Sequence, residues 1–435
     1  MPLSIAMQRG RWRDSFSTLR IANYRKYAAS QGISNVAGWA MRVATDWLVL
    51  ELTGNIALVG LTIAIQFAPL LLFGAWGGVI ADRFPKRTML VCTQVAASVL
   101  SAVLATLAIT GVVQLWMIYL IVALLGIVQL LDNPSRSVFV SEIVGPRQLR
   151  NAISLNASIF HLGALIGPAL SGIAIVAVGS GWSIAANAVA AAVGAVLIAT
   201  IRQEQLLTAP RAPKAKGQIR EAARYVLSKP AMFWTFVMVT FVSMFGLPLP
   251  TLLAGMADHV FETGAQGYGL YNSLLAVGAL TGALLSTRRT ELRLRTIVLG
   301  AMLYGVLQTL VGLAPFYSLF LVLLVTVGFS RLLYATAAET MVQLSSNLRI
   351  RGRVMSFFML ILVGGQAIGG PIMGLIAETF GSRAAVVVSG AVPAVAAMVI
   401  AIVLARTGQL RLKVTPRLRG SWITIAPRAA GADLE

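Results

Sequence analysis

Twelve long, mostly apolar stretches recur along this chain, at 26–50, 56–81, 88–110, 113–131, 151–178, 181–201, 231–256, 267–287, 295–314, 316–340, 353–377 and 382–405. A helix needs about 20 such residues to cross the hydrocarbon of a bilayer, where each backbone polar group must be satisfied inside the helix. Twelve runs of this kind point to an all-α integral membrane protein with twelve transmembrane helices. Composition excludes a water-soluble enzyme. Of 435 residues, 57% are hydrophobic and 11% are charged, against roughly 25% charged in an ordinary soluble domain.

The charge pattern orients the helices. Of 35 Lys and Arg, only Arg42 and Arg331 fall well inside apolar runs, and Arg383 stands at the short link that opens the last run. The other basic residues lie in the two tails and in the links 83–87, 136–150, 202–229, 288–295 and 349–353. The opposite side holds the acids Glu51, Asp258, Glu262 and Glu378 and the short turns at 112–113, 179–181 and 314–315. Lysine and arginine accumulate on the cytoplasmic side. Both termini are therefore expected in the cytoplasm of a bacterial inner-membrane protein. The net charge of +20 is a topology signal, with anionic lipid heads as its partner, and not a nucleic-acid footprint.

Several chemistries are excluded. Cys92 is the single cysteine, so no intrachain disulfide or CxxC site exists. The two histidines, His161 and His259, are too far apart for an HExxH site. No lysine follows a glycine, so there is no Walker A loop. No metal, cofactor or enzymatic activity is expected. Residues 8–26 alternate arginines with Trp12, Phe16, Leu19 and Ile21, which suits an amphipathic or disordered basic segment better than a cleavable signal. Cys92 reads as a small buried hydrophobe.

The two halves repeat. A shift of 202 positions carries Gly163, Gly167, Gly172 and Gly179 onto Gly365, Gly369, Gly374 and Gly381, and Gly126 onto Gly328. A shift of 209 carries Gly60 onto Gly269 and Asp82 onto Glu291. Six spans in each half, starting on the same side, make a parallel repeat. The expected organisation is a basic segment 1–25, a bundle 26–201, a linker 202–230 with a helical second half 218–229, a bundle 231–405 and a poorly ordered basic tail 406–435. The glycine rows would let helices approach closely in lipid, and Pro168 and Pro371 would kink them.

These motifs carry a resemblance. GGVIADRFPKR at 77–87 resembles the cytoplasmic signature of the major facilitator superfamily, with Gly78, Asp82, Arg83, Lys86 and Arg87 filling the pattern and Pro85 replacing its usual glycine. Residues 163–172 resemble the antiporter motif of its fifth helix, carried by Gly163, Gly167, Pro168 and Gly172, with Ser171 where a second glycine is usual. WLVLELTG at 47–54 and LDNPSRSVFVSEIVGPRQLRNAISLN at 131–156 are similar to the drug:proton antiporter branch that includes macrolide-efflux proteins and the enterobactin exporter. The resemblance implies the major facilitator fold, two six-helix bundles around a central site, alternating access, and export.

Intramembrane charges nominate the coupling site, because such groups are rare in lipid and need partners. Arg42 and Asp46 stand one turn apart in the first span and can pair. A movement that parts them would change the carboxylate's proton affinity; a purely structural ion pair is the other reading. His161 and Glu339 are further proton-coupling candidates, since imidazole titrates near neutrality. Asp132, Arg136 and Glu142, with Asp82, Arg83 and Arg87, are expected to form a cytoplasmic gate or, failing that, a solvated loop. Trp39, Gln66, Gln129, Asn156, Phe160, Arg331, Tyr334 and Gln366 are the candidate cavity residues, a mix of rings and a few polar groups. Arg331 would attract an anionic substrate or pair with an acid.

The expected function is a secondary transporter, monomeric, exporting an amphipathic drug or metabolite of macrolide or siderophore type in exchange for protons. An importer or facilitator of a small polar nutrient, or a lipid flippase or transporter-like receptor, stands as the alternative.

Overall fold

A computed structural model describes residues 17–207, 218–286, 294–347, 350–406, 411–414 and 423–426. Among these, the helices are α1 (Ala22–Thr53), α2 (Ile56–Arg83), α3 (Lys86–Ile109), α4 (Leu115–Leu149), α5 (Asn151–Val178), α6 (Ser180–Ala199), α7 (Gln218–Leu227), α8 (Pro230–Val260), α9 (Gly264–Ser286), α10 (Leu294–Leu313), α11 (Tyr317–Ser345), α12 (Arg351–Phe380) and α13 (Ser382–Arg406). Ten of them are long and apolar enough to cross a bilayer. The other two predicted spans are occupied by α1 and α9, which fall outside that ten. At 1.5 Å per residue, the 32 residues of α1 still run roughly 48 Å, and its charges account for its lower hydropathy.

Local signals set the ends. Gly54 leaves α1 in the left-handed region and donates to the Leu50 carbonyl at 2.7 Å, and the Asn55 side chain then accepts from the Leu58 N–H to open α2. Gly179 and Gly381, one from each repeat, turn the chain at φ 91° and 87°, where a Cβ would be strained. The expected link 136–150 is instead mostly helical. The chain is helical from Leu115 to Val178 and departs from helical geometry only at Gly145, next to Pro146. Pro168 and Pro371 sit inside α5 and α12, which continue through them.

The chain forms two compact units, one of residues 1–214 with 253–276, the other of 215–252 with 277–435. The first has an aromatic-rich core near the start of α1, where Tyr24 and Tyr27 pack with Leu90, Phe139, Ile143 and Ile198. Helix ends are tied there by side chains: Lys26 donates to the Thr200 carbonyl at 2.6 Å, and Arg87 to the Ala199 carbonyl. In the second unit α7 packs its buried Ala222 and Val226 on α12, as the spacing at 218–229 predicts. Lys229 bridges the Tyr225 hydroxyl and the Ser345 carbonyl, each at 2.7 Å, and Arg353 pairs with Glu221. The ammonium beside Tyr225 holds that phenol below its ordinary range.

The repeat is visible in packing. In the first unit, Gly163 and Gly167 of α5 lie against the α1 backbone at Asn35–Val36 and Val36–Ala40. In the second, Gly365 and Gly369 of α12 lie against α8 at Ser243–Met244. Gly126 meets Gln66 and Pro69 of α2, and Gly278 of α9 meets Val325 and Phe329 of α11. Glycine is needed at such contacts because lipid gives apolar helices no hydrophobic reason to associate, so close backbone approach does the binding.

The expectation for Cys92 is corrected. Cys92 is exposed, not buried. It shares a stripe of α3 with the exposed Val95, Val99 and Val103, the apolar outside face of a membrane helix. The tail contains a pair of short strands, Arg411–Val414 running antiparallel to Ile423–Ala426.

Candidate functional site

The buried acid of the first unit lies where α1, α5 and α9 meet. Asp46 is 4% exposed. The expected ion pair with Arg42 is not formed; the Arg42 guanidinium lies 5.8 Å over the Trp39 ring instead. The Asp46 carboxylate accepts a hydrogen bond from the hydroxyl of Tyr268, 222 positions away on α9, at 3.0 Å. Tyr268 is itself 1% exposed and stacks on Trp47, ring centroids 6.2 Å apart. A carboxylate removed from water needs such a donor.

Two contacts hold α9 against α5, and a bond within α9 supports the turn that carries Tyr268. Gly172 of α5 and Gly269 of α9 approach so closely that a Cβ on Gly172 would meet the Ala265 carbonyl at 2.9 Å. The Ser273 hydroxyl donates to the Leu165 carbonyl at 3.0 Å. Asn272 donates to the Tyr268 carbonyl at 3.0 Å, which anchors that turn. One turn further along α1, Glu51 accepts from Trp47 Nε1 and from the Ser180 hydroxyl, both at 2.7 Å, joining α1 to the start of α6. Tyr268, Ser180 and this use of Glu51 were missed in the sequence. The match of Gly60 to Gly269 was the one signal that this turn of α9 is a contact surface.

At the other end of the first unit, Asp132 and Arg136 of α4 are paired. Asp132 accepts from the Thr93 hydroxyl of α3 at 2.7 Å, and Arg136 donates to Gln31 of α1 at 2.6 Å. This cluster ties three helices and reaches inward. Of the other expected gate residues, Arg83 is exposed, Arg87 caps α6, and Glu142, close to the Lys86 ammonium, offers its backbone carbonyl to the Leu207 N–H at 2.8 Å. Gly78 and Asp82 belong to the stretch 75–82 of α2, whose side chains fall outside the described residues.

The candidate cavity residues divide. Trp39, Phe160 and His161 form a run of rings, edge to face at 5.6 and 5.7 Å, capped by Arg42. Asn156 accepts from the Tyr24 hydroxyl at 3.1 Å and is engaged in holding α1 to α5. Gln366 donates to its own helix at Leu362, and Glu339 accepts from Gln343. Gln129 is exposed, and Gln66 contributes its backbone carbonyl to the contact with Gly126. Arg331 is half-buried, and nearby Tyr334 is 4% exposed with no hydrogen-bond partner for its hydroxyl among the described residues. An apolar cavity of about 490 Å³ in the first unit is lined by Gly32, Ile33, Ala37, Leu170, Trp182 and Ala186 among others, and by none of these eight.

Residues 13–419 match the family described as transmembrane secretion effector. The enterobactin exporter EntS of Escherichia coli is 24% identical over 81% of this chain and 84% of its own. Macrolide efflux protein A of Streptococcus pyogenes is 20% identical over 81% of this chain and 89% of its own. The staphyloferrin A transporter of Staphylococcus aureus is 22% identical over 57% of this chain, and the match spans 63% of that protein's length. Among solved structures, a peptide transporter POT in complex with sulfate superposes with a TM-score of 0.71 at 15% identity, covering 89% of this chain and 95% of its own. A bacterial homolog of the human lysosomal transporter Spinster gives 0.68 at 14%, covering 88% and 96%.

Proposed function

The chain belongs to the transmembrane secretion effector family, a family of transporters with the major facilitator fold, and from that premise we propose that it exports an amphipathic metabolite or drug of siderophore or macrolide type across a bacterial inner membrane by proton antiport. The relatives named for enterobactin, macrolide and staphyloferrin A handling support the substrate class. The arginine-rich links support cytoplasmic termini. A monomer suffices, because each half supplies one wall of the expected central site.

One observation carries the coupling: the buried carboxylate of Asp46 held by the Tyr268 hydroxyl. In this reading the contact of α1 with α9 is the outer closure. While it holds, Asp46 sees a tyrosine and no water. When it parts, the same carboxylate meets water. Its proton affinity therefore differs between the two arrangements, and a proton bound preferentially in one of them shifts the balance between them. Alternating access follows if substrate binding biases the same equilibrium. Asp132 and Arg136, half-buried and hydrogen-bonded to Thr93 and Gln31, serve in this scheme as the fixed inner brace of the first unit.

The test uses purified protein in liposomes that enclose a pH dye, with an imposed proton gradient and a panel of macrolides, siderophores and cationic dyes. Substrate-dependent proton flux is expected from wild type and lost in Asp46→Asn. Flux that persists unchanged in Asp46→Asn removes this residue from coupling. Transport with no accompanying proton movement removes antiport.

A further inference from the structure

The first transmembrane helix of the second repeat cannot complete its own hydrogen-bond ladder. Each α-helical carbonyl accepts from the N–H four residues on. For Met244 and Gly246 of α8 those positions are Pro248 and Pro250, which carry no N–H. The chain adopts a π-turn at Val242–Gly246, the Leu247 N–H donating to the Val242 carbonyl at 2.9 Å. The Thr251 N–H, one residue beyond Pro250, is taken by the Pro248 carbonyl at 3.0 Å. A carbonyl left without a donor in lipid is costly.

Two side chains of α10 supply what Pro250 removes. The Tyr304 hydroxyl donates to the Gly246 carbonyl at 2.9 Å and Gln308 Nε2 donates to it at 3.2 Å. Both residues are fully buried, and Gln308 is fixed in turn by the Ser389 hydroxyl of α13 at 2.6 Å. Only glycine admits Tyr304, since a Cβ at position 246 would meet its ring at 2.8 Å. The Met244 carbonyl lies against Gly369 of α12. The break is therefore built from three helices around α8. It lies just ahead of Leu252, after which the chain leaves the second compact unit until Val277.

We propose that Tyr304 and Gln308 are positioning residues that hold α8 broken at Val242–Pro250, and that the segment beyond the break, which leads into α9 and Tyr268, swings about this point as the Asp46–Tyr268 contact opens and closes. The inference rests on the alternating-access reading above. It adds the pivot and the groups that keep it from healing into a continuous helix or fraying.

A double-variant rescue tests it on the full chain in lipid nanodiscs, without substrate. The background is Cys92→Ala with Ala265→Cys, a buried position whose carbonyl faces Gly172. The readouts are hydrogen–deuterium exchange over 242–252 and the rate of maleimide labelling at position 265. Tyr304→Phe with Gln308→Leu is expected to raise exchange at least tenfold. Adding Pro250→Ala restores the backbone donor and is expected to return exchange to the wild-type level. Pro250→Ala alone, with a healed helix, is expected to slow labelling at 265 at least tenfold. If the double variant does not fold, Tyr304→Phe alone is run with and without Pro250→Ala. Failure of Pro250→Ala to rescue exchange, or unchanged labelling in Pro250→Ala alone, overturns the proposal. Both readouts are independent of flux, so absence of proton-coupled transport with the rescue intact would remove the antiport reading and leave the pivot.

Discussion

Helices α1 and α8 are the same element in two repeats, and they have been put to different uses. Each is gripped by a pair of glycines at equivalent positions, Gly163 and Gly167 on one side, Gly365 and Gly369 on the other. Val36 of α1 and Met244 of α8 meet those glycines in the same way. Beyond that shared grip the sequences part. Where α1 continues unbroken through Arg42 and Asp46, α8 carries Pro248 and Pro250 and bends out of helical register. One copy spends its freedom on a buried charge, the other on a break in the backbone. A rigid helix can hold an acid at a fixed depth, whereas a helix with missing donors has a place to bend.

The largest effect expected is on the shared grip. Leucine at Gly167 or at Gly369 places atoms where backbone already stands, and overpacking of this kind costs about 1–3 kcal/mol or more. Both variants should lose folded yield by similar amounts in size-exclusion profiles of the solubilised protein. A loss in only one would show that the two grips are not equivalent. Next comes the charge. Asp46→Asn should reduce proton-driven flux by about 100-fold, the scale of removing a positioned proton-transfer group, with the folded yield kept. Tyr268→Phe removes the donor and leaves the stacked ring. A hydrogen bond to a charged group contributes about 1.5–3 kcal/mol, so labelling of a cysteine at position 265 should quicken roughly tenfold or more. Unchanged labelling would mean that the glycine contact alone closes the seam. The smallest effect is Ser180→Ala. It removes one bond to the exposed Glu51 and should lower stability by about 1 kcal/mol or less, read as a small shift in the thermal melt.

Much of the fold was legible in the chain. The twelve apolar runs coincide with α1–α6 and α8–α13, because bilayer thickness imposes a minimum length that few other constraints mimic. The helical spacing at 218–229 gave α7. The glycine shift of 202 residues gave the paired grips. The site was legible only in part. Asp46 stood out because charge in lipid is rare, but its nearest charge in sequence, Arg42, is not its hydrogen-bond partner. An i, i+4 pair is a possibility offered by one helix, and Tyr268 on another helix took the carboxylate instead. Asn156 read as a cavity group and turned out to hold Tyr24. The extension of α4 across 136–144 was hidden because Arg136 resembles the start of a loop until it is seen to pair with Asp132 and donate to Gln31.

What the sequence determined alone was set by the solvent: twelve apolar runs that became helices, the repeat, and the places where only glycine fits. Those follow from bilayer thickness and the volume of a side chain, which are properties of single segments. What the tertiary structure decided was partnership. Which hydroxyl meets Asp46, and which side chains replace the hydrogen bond that Pro250 removes, depend on residues 222 and 58 positions away. Hydrogen bonds are satisfied by proximity in space, and a proline shows that a donor is missing without saying what will take its place.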